Sequence, residues 1–212
     1  MSNTLIFVGG PSASGKSTFV KELKIYLSSA LLYRRLDAFS DCAKKINCSK
    51  DKMFEYVSST DADKQFSEVC LKNECVISDI HYALQANRDF KSSDKTDTRF
   101  VSTISDNLID VLNSNNSIII ATYINCSEEE LYKRALYRFY KGERTMRASS
   151  INDIIMQMKY ERLKWIELCK KHNLIQIELD SEHFSPKEMA EEFIASTRKN
   201  EKAKELIKKM KV

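Results

Sequence analysis

The stretch Gly10-Pro11-Ser12-Ala13-Ser14-Gly15-Lys16-Ser17, followed by Thr18, decides the fold of this 212-residue chain. It matches the pattern G-x-x-x-x-G-K-[S/T], whose successive backbone N–H groups curl round the phosphates of a nucleotide. In such a phosphate-binding loop (P-loop), Lys16 would reach the β- and γ-phosphates, and the Ser17 hydroxyl would be a magnesium ligand. The motif predicts that Gly10 to Thr18 bind ATP, or GTP, together with Mg²⁺.

Glycine is scarce in this chain and is concentrated at the loop. Three of the four glycines, Gly9, Gly10 and Gly15, lie within seven residues of one another. Residues 4–8 form a short apolar run that is typical of a buried parallel strand, and apolar residues recur at helical spacing after Lys16. We therefore predict that the loop joins a strand to a helix whose positive end faces the phosphates.

Strand-like and helix-like segments alternate along the rest of the chain. The predicted strands are 31–36, 75–78, 117–123 and 174–179. The predicted helices are several polar ones up to residue 72, then 100–112, 128–139, 151–171 and one that opens at Pro186. This alternation predicts a three-layer α/β fold in which a parallel sheet lies between helices, in a single domain over residues 1–212.

Composition narrows the class of protein. A hydrophobic fraction of 42% suits a globular chain, and no apolar run approaches the ~20 residues that span a bilayer. The N-terminus lacks a signal-peptide pattern, so we expect a cytoplasmic protein without membrane contact. The six cysteines show neither C-x-x-C pairs nor zinc spacing, which predicts reduced and mostly buried thiols.

The positive charge lies at the C-terminus. The net charge is +4, and residues 196–212 carry seven Lys/Arg and two Glu, a charge of +5 that leaves −1 for the rest. The body of the chain therefore has no strongly basic surface for nucleic acid. We interpret the tail as part of a solvated C-terminal helix over about 186–212, with contact to nucleic acid or to a partner as the alternative.

Two acidic residues and a histidine follow predicted strands. Asp79 comes directly after the strand at 75–78, where a carboxylate faces the ligand crevice of a parallel sheet and can hold Mg²⁺ or take a proton. A helix cap or turn is the alternative for Asp79. His81 is a candidate substrate contact, or else a hydrogen-bonded structural histidine. Asp37, after the strand at 31–36, would orient or deprotonate an acceptor hydroxyl, or would cap the following helix.

Arginines are dense between the fourth predicted strand and the long helix. Arg134 and Arg138 lie four residues apart on one helix face, and Gly142 breaks the helix before Arg144 and Arg147. Arginines on a closing flap stabilise the negative charge that develops during phosphoryl transfer. We predict this role for Arg138, Arg144 and Arg147, and a solvated basic helix face is the alternative.

Together, these motifs resemble the nucleoside monophosphate kinase group of P-loop kinases, and among them the archaeal-type adenylate kinases. The similarity rests on the P-loop, on Asp79-Ile80-His81 and on Arg144-x-x-Arg147. It implies a five-stranded parallel sheet of order 2-3-1-4-5, an acceptor-binding helical insert at about 40–72 and a lid at about 139–150. It also implies transfer of the γ-phosphoryl group of ATP to an acceptor.

Three functions follow from the sequence. The first is a kinase for a small acceptor, with a nucleotide or nucleoside favoured. The second is an NTP-binding regulatory switch, although the chain has no Asn-Lys-x-Asp segment for reading guanine. The third is a kinase for nucleic-acid ends that uses the basic tail. The sequence contains no motif that specifies the acceptor.

Overall fold

The computed structural model describes residues 3–49, 52–85, 100–101, 104–141 and 151–203. The strands are β1 (Thr4–Gly9), β2 (Leu31–Leu32), β3 (Cys75–Asp79), β4 (Leu84–Gln85), β5 (Phe100–Val101), β6 (Ile118–Asn125) and β7 (Ile175–Asp180). The helices are α1 (Lys16–Tyr26), α2 (Arg35–Lys45), α3 (Met53–Tyr56), α4 (Ser59–Lys72), α5 (Asp106–Ser114), α6 (Glu128–Tyr140), α7 (Ile151–His172) and α8 (Pro186–Lys199).

Five parallel strands form the main sheet in the order β2-β3-β1-β6-β7. Counted along the chain within this sheet, that is the order 2-3-1-4-5, so the prediction is confirmed. The central strand β1 pairs with β3 on one side and with β6 on the other. All carboxyl ends of the strands therefore meet at one edge, where the loops that follow β1 and β3 lie side by side.

Apolar side chains cover both faces of this sheet. On one face, α1 and α8 pack through Phe19 and Phe193, whose rings meet edge to face at 6.0 Å. On the other face, α4, α5 and α7 contribute a second cluster that includes Phe66 and Trp165. The result is the predicted three-layer arrangement. Within the described ranges, no helix combines the length and the apolar character that crossing a bilayer requires.

The second strand is shorter than predicted. It ends at Leu32, and α2 begins at Arg35, so the prediction that Asp37 ends a strand is wrong. Asp37 lies in the first turn of α2, and its carboxylate accepts the backbone N–H of Arg34 at 2.8 Å in a capping box. The local hydrogen bond of the cap satisfies an N–H at the start of the helix, which favours the helix over the strand.

The predicted helix at 100–112 also begins later. Residues 100–101 form β5, which pairs antiparallel with β4, and α5 starts at Asp106. The reason is Ser105, whose hydroxyl oxygen accepts the N–H of Leu108 at 3.1 Å and so caps the helix. The apolar spacing of Phe100 and Val101 resembles a helix extension, but their partners lie in β4.

All six cysteines are free thiols, and Cys70, Cys75, Cys126 and Cys169 are buried. Burial raises the pKa of the Cys75 thiol to about 12 and that of Cys169 to about 12. A thiol with so high a pKa is protonated at neutral pH and is therefore a poor nucleophile. Four of the six thiols are buried, as predicted.

Candidate functional site

The P-loop lies between β1 and α1 in backbone conformations that few residues adopt. Gly10 has φ 140° and Gly15, the N-cap of α1, has φ 94°. A Cβ on Gly10 would lie 2.6 Å from the carbonyl oxygen of Ile124, so the loop packs directly against the end of β6. Ala13 has φ 71°, which is costly for a residue with a Cβ. Backbone strain of this kind clusters at ligand sites.

Gly9, just before the loop, packs against an aromatic ring. A Cβ on Gly9 would lie 2.1 Å from Cε2 and 2.3 Å from Cδ2 of Tyr82. The Tyr82 ring is buried, and its hydroxyl donates to the Thr122 carbonyl oxygen at 3.1 Å, which holds the ring in place. Glycine is therefore required here for space.

We expect Gly9→Ala to lower the free energy of unfolding by about 1–3 kcal/mol, the usual cost of overpacking a core. Urea denaturation measures this loss. The paired variant Gly9→Ala/Tyr82→Ala tests the cause, because the alanine at position 9 should cost less when the ring is absent. An equal cost in both backgrounds would mean that the Tyr82 ring is not the obstacle.

Lys16 is buried at the start of α1. Its ammonium group donates to the carbonyl oxygens of Gly10 and, at 3.0 Å, of Pro11. The positive charge is therefore held inside the loop, next to the first N–H groups of α1, which have no acceptor within their own helix. A positive charge and a helix N-terminus together form an anion site. The buried hydroxyl of Ser14 has no hydrogen-bond partner among the described residues.

Ser17 and Asp79 meet beside the loop. The Ser17 hydroxyl donates to Oδ2 of Asp79 at 3.2 Å. Asp79 ends β3 and pairs in register with Val8 of β1, which places its carboxylate at the mouth of the P-loop. A hydroxyl and a carboxylate suit Mg²⁺, which usually takes one or two protein ligands and completes its shell with phosphates and water. No larger group of metal-ligating side chains occurs within the described ranges.

Arg34 and Asp37 form an ion pair near Asp79. The Arg34 guanidinium donates to both carboxylate oxygens of Asp37, at 3.1 and 2.8 Å. The hydrogen bond to Asp37 raises the pKa of Arg34, and the charge of Asp79 adds to this effect. Asp37 thus acts as a helix cap, which was the alternative interpretation, while its carboxylate still lies on the β3 side of the P-loop.

His81 contacts a residue that the sequence analysis did not single out. Its Nδ1 lies 3.2 Å from Oε1 of Glu161, a fully buried carboxylate on α7. Oε1 also accepts the N–H of Gly10 at 3.3 Å and that of Tyr82 at 3.1 Å. One signal could have revealed Glu161. It lies four residues before the buried Trp165, on the apolar side of α7, where a charged residue is unusual.

The face of α6 that carries Arg134 and Arg138 borders a cavity of about 560 Å³. The cavity lies between the P-loop, α6 and the segment that joins β7 to α8, and its lining includes Ala13, Gly15, Thr18, Arg134, Tyr137, Arg138, Ser181 and Phe184. The cavity is large enough for a purine base and ribose.

The two arginines of this face differ in their contacts. Arg134 donates to Glu130 at 2.7 Å and to the hydroxyl of Ser181 at 3.0 Å, so it ties α6 to the end of β7. Arg138 makes no hydrogen bond or ion pair with any residue that the structure describes. Arg144 and Arg147 lie outside the described residues, as do most of the predicted lid at 139–150 and residues 204–212 of the tail.

The sequence matches no protein-family model and no curated protein. The fold is similar to that of shikimate kinase from Aquifex aeolicus, at 14% identity and a TM-score of 0.52, over 92% of this chain and 97% of that one. Shikimate kinase from Acinetobacter baumannii, in complex with shikimate, has 13% identity and a TM-score of 0.54, over 94% and 95% of the two chains.

A third similar structure is the YorR protein from Bacillus subtilis, in complex with phosphorylated GDP. It shares 15% identity at a TM-score of 0.55, over 90% of this chain and 94% of that one. Identities this low establish the fold and leave the acceptor open. They do not single out the adenylate kinases that the sequence resembles. With its P-loop, its strand order and these neighbours, the chain has the fold of the P-loop kinases.

Proposed function

We propose that this chain is a kinase that transfers the γ-phosphoryl group of ATP to a small acceptor, with a nucleotide or nucleoside favoured. The observation that carries the proposal is the contact between Ser17 and Asp79 beside the buried ammonium of Lys16. Three groups suited to binding a magnesium–triphosphate unit thus lie at one end of the sheet, although they come from two different strand–loop units.

The donor nucleotide would extend from the P-loop into the cavity next to α6. Its phosphates would accept hydrogen bonds from backbone N–H groups of the loop after Pro11, and the positive charge of Lys16 would lie beside them. Ser17 and Asp79 would hold Mg²⁺, which would supply positive charge to neutralise the phosphates. The base would lie between the P-loop and Phe184.

The acceptor would bind on the β3 side of the P-loop, where Asp37 and His81 lie. An acceptor oxygen would attack the γ-phosphorus as the bond between that phosphorus and the oxygen of the β-phosphate breaks, so that ADP leaves and the proton of a hydroxyl acceptor passes to solvent. Arg138, and with it Arg144 and Arg147, would stabilise the charge on the transferring group. In such reactions, most of the rate enhancement comes from positioning the two substrates and from stabilising the charge on the transferring group.

The experiment is a screen of nucleoside monophosphates and nucleosides as acceptors in the presence of Mg-ATP. The release of ADP measures the reaction with each of them. We expect one acceptor to raise ATP consumption to a turnover of about 1–100 s⁻¹, as is usual for kinases. ATP hydrolysis that no acceptor accelerates would instead indicate a regulatory NTPase. The third candidate, a kinase for nucleic-acid ends, requires salt-dependent oligonucleotide binding that is lost on deletion of residues 196–212.

A further inference from the structure

Glu161 connects the two halves of the proposed site. Its Oε1 accepts hydrogen bonds from the first amide of the P-loop, at Gly10, and from the amide of Tyr82 in the segment after β3. The same oxygen lies 3.2 Å from Nδ1 of His81. One atom of α7 therefore contacts both the donor side of the site and the segment that carries the proposed acceptor contact.

A charged side chain in this place costs stability. Glu161 has no exposed surface, and its Oε2 has no hydrogen-bond partner among the described residues. Burying a carboxylate costs several kcal/mol unless its oxygens are satisfied, and an apolar residue of similar size often replaces a buried charge without loss of stability. The contacts that the Glu161 carboxylate makes are with Gly10, Tyr82 and His81, all at the proposed site, which indicates that it serves the site.

The hydrogen bonds determine which nitrogen of His81 carries a proton. Because Oε1 accepts two backbone N–H groups, it is an acceptor oxygen and not a hydroxyl. The Nδ1 atom facing it must then be the donor, so the neutral ring is the Nδ1–H tautomer. Nε2, on the opposite side of the ring, is then the nitrogen able to accept a proton or a hydrogen bond.

We propose that Glu161 is a positioning residue that fixes the tautomer and orientation of His81. It also holds the segment after β3 in place beside the P-loop. The proposal rests on the proposed function, since it assigns His81 to the acceptor side. Glu161 itself, buried behind the loop, would touch neither nucleotide nor acceptor. It would act as the carboxylate does when it orients a functional imidazole from the far side of the ring.

The first test uses the intact wild-type protein and does not depend on enzymatic activity. Long-range ¹H–¹⁵N NMR spectra distinguish the tautomers of the three histidines, and the variant His81→Gln assigns the signal of His81. We expect the Nδ1–H form for neutral His81. An Nε2–H form would overturn the proposal, even if the protein proves to be a kinase.

The second test compares Glu161→Gln with Glu167→Gln, an exposed glutamate on the same helix whose partner is Lys164. We expect Glu161→Gln to lower kcat by up to about 10²-fold, the loss that misplacing a reacting group can cause, while Glu167→Gln stays at the wild-type level. In a His81→Ala background, Glu161→Gln should have a much smaller effect, because its target is gone.

Three outcomes of this comparison would count against the proposal. A folded Glu161→Gln variant with wild-type kcat removes the positioning role. An equal loss in the presence and absence of His81 means that Glu161 does not act through the imidazole. A loss that appears only as a lower Tm means that the residue is structural. If calorimetry detects no uptake of Mg-ATP, the proposed function fails, while the tautomer measurement still decides the role of Glu161.

Discussion

Replacing Lys16 with alanine is expected to lower kcat by about 10²-fold or more, the usual effect of losing one preorganised electrostatic contact to the transferring group. The structure gives the physical reason, because the ammonium is buried within the P-loop and bonded to the carbonyl oxygens of its first residues. No neighbouring cation on α1 can take its place, since Lys21 is exposed to solvent and Lys24 donates to Ser28 and Ala30 at the other end of the helix. Steady-state kinetics with the acceptor from the screen measure the change.

Lys21→Ala is the matched control for this prediction. It removes the same charge from an exposed position on the same helix, and we expect kcat to stay near the wild-type value. A Lys16→Ala enzyme with near wild-type turnover would refute the assigned role of Lys16. Calorimetry of both variants with Mg-ATP separates a loss of binding from a loss of turnover.

Replacing Asp63 with alanine is expected to cost about 3–5 kcal/mol of unfolding free energy, because it leaves a partly buried guanidinium without its counter-ion. Asp63 lies on α4. One of its carboxylate oxygens accepts a hydrogen bond from Nε of Arg35 at 2.6 Å, and the other accepts one from the Ser105 hydroxyl at 2.7 Å. The side chains of Arg35 and Asp63 are only 17% and 10% exposed. This carboxylate therefore ties α2, α4 and α5 together.

The exposed pair of Lys164 and Glu167 provides the control for Asp63. Its side chains are 50% and 62% exposed at a distance of 2.6 Å, and exposed pairs contribute about 0–1 kcal/mol. Urea denaturation of Asp63→Ala and Glu167→Ala gives both values. If Asp63→Ala costs no more than the control, the junction of the three helices does not depend on this ion pair.

Local signals in the sequence predicted several elements correctly. The apolar run before Gly9 and the helical spacing after Lys16 predicted β1 and α1, and the predicted opening of a helix at Pro186 is the start of α8, where Ser185 and Glu188 form a capping box. Such signals are reliable because the hydrogen bonds they describe lie within a few residues of one another.

The errors arose where a local signal has two structural meanings. Asp37 follows an apolar run and could end a strand or cap a helix, and the choice depends on the hydrogen bond that it makes to Arg34. Phe100 and Val101 have helical spacing with the residues after them, yet they pair with β4. The pairing of Phe100 and Val101 is not visible without the neighbouring strand that these residues have in the folded chain.

The sequence by itself determined the phosphate-binding loop and the alternation of strands and helices, because both depend on local residue patterns. Only the tertiary structure showed that Glu161 bridges Gly10 and His81, and that Asp63 joins Arg35 to Ser105. The partners in these clusters are 151, 80, 28 and 42 residues apart. A buried charge selects its partners by proximity in the fold, and no spacing along the chain encodes that proximity.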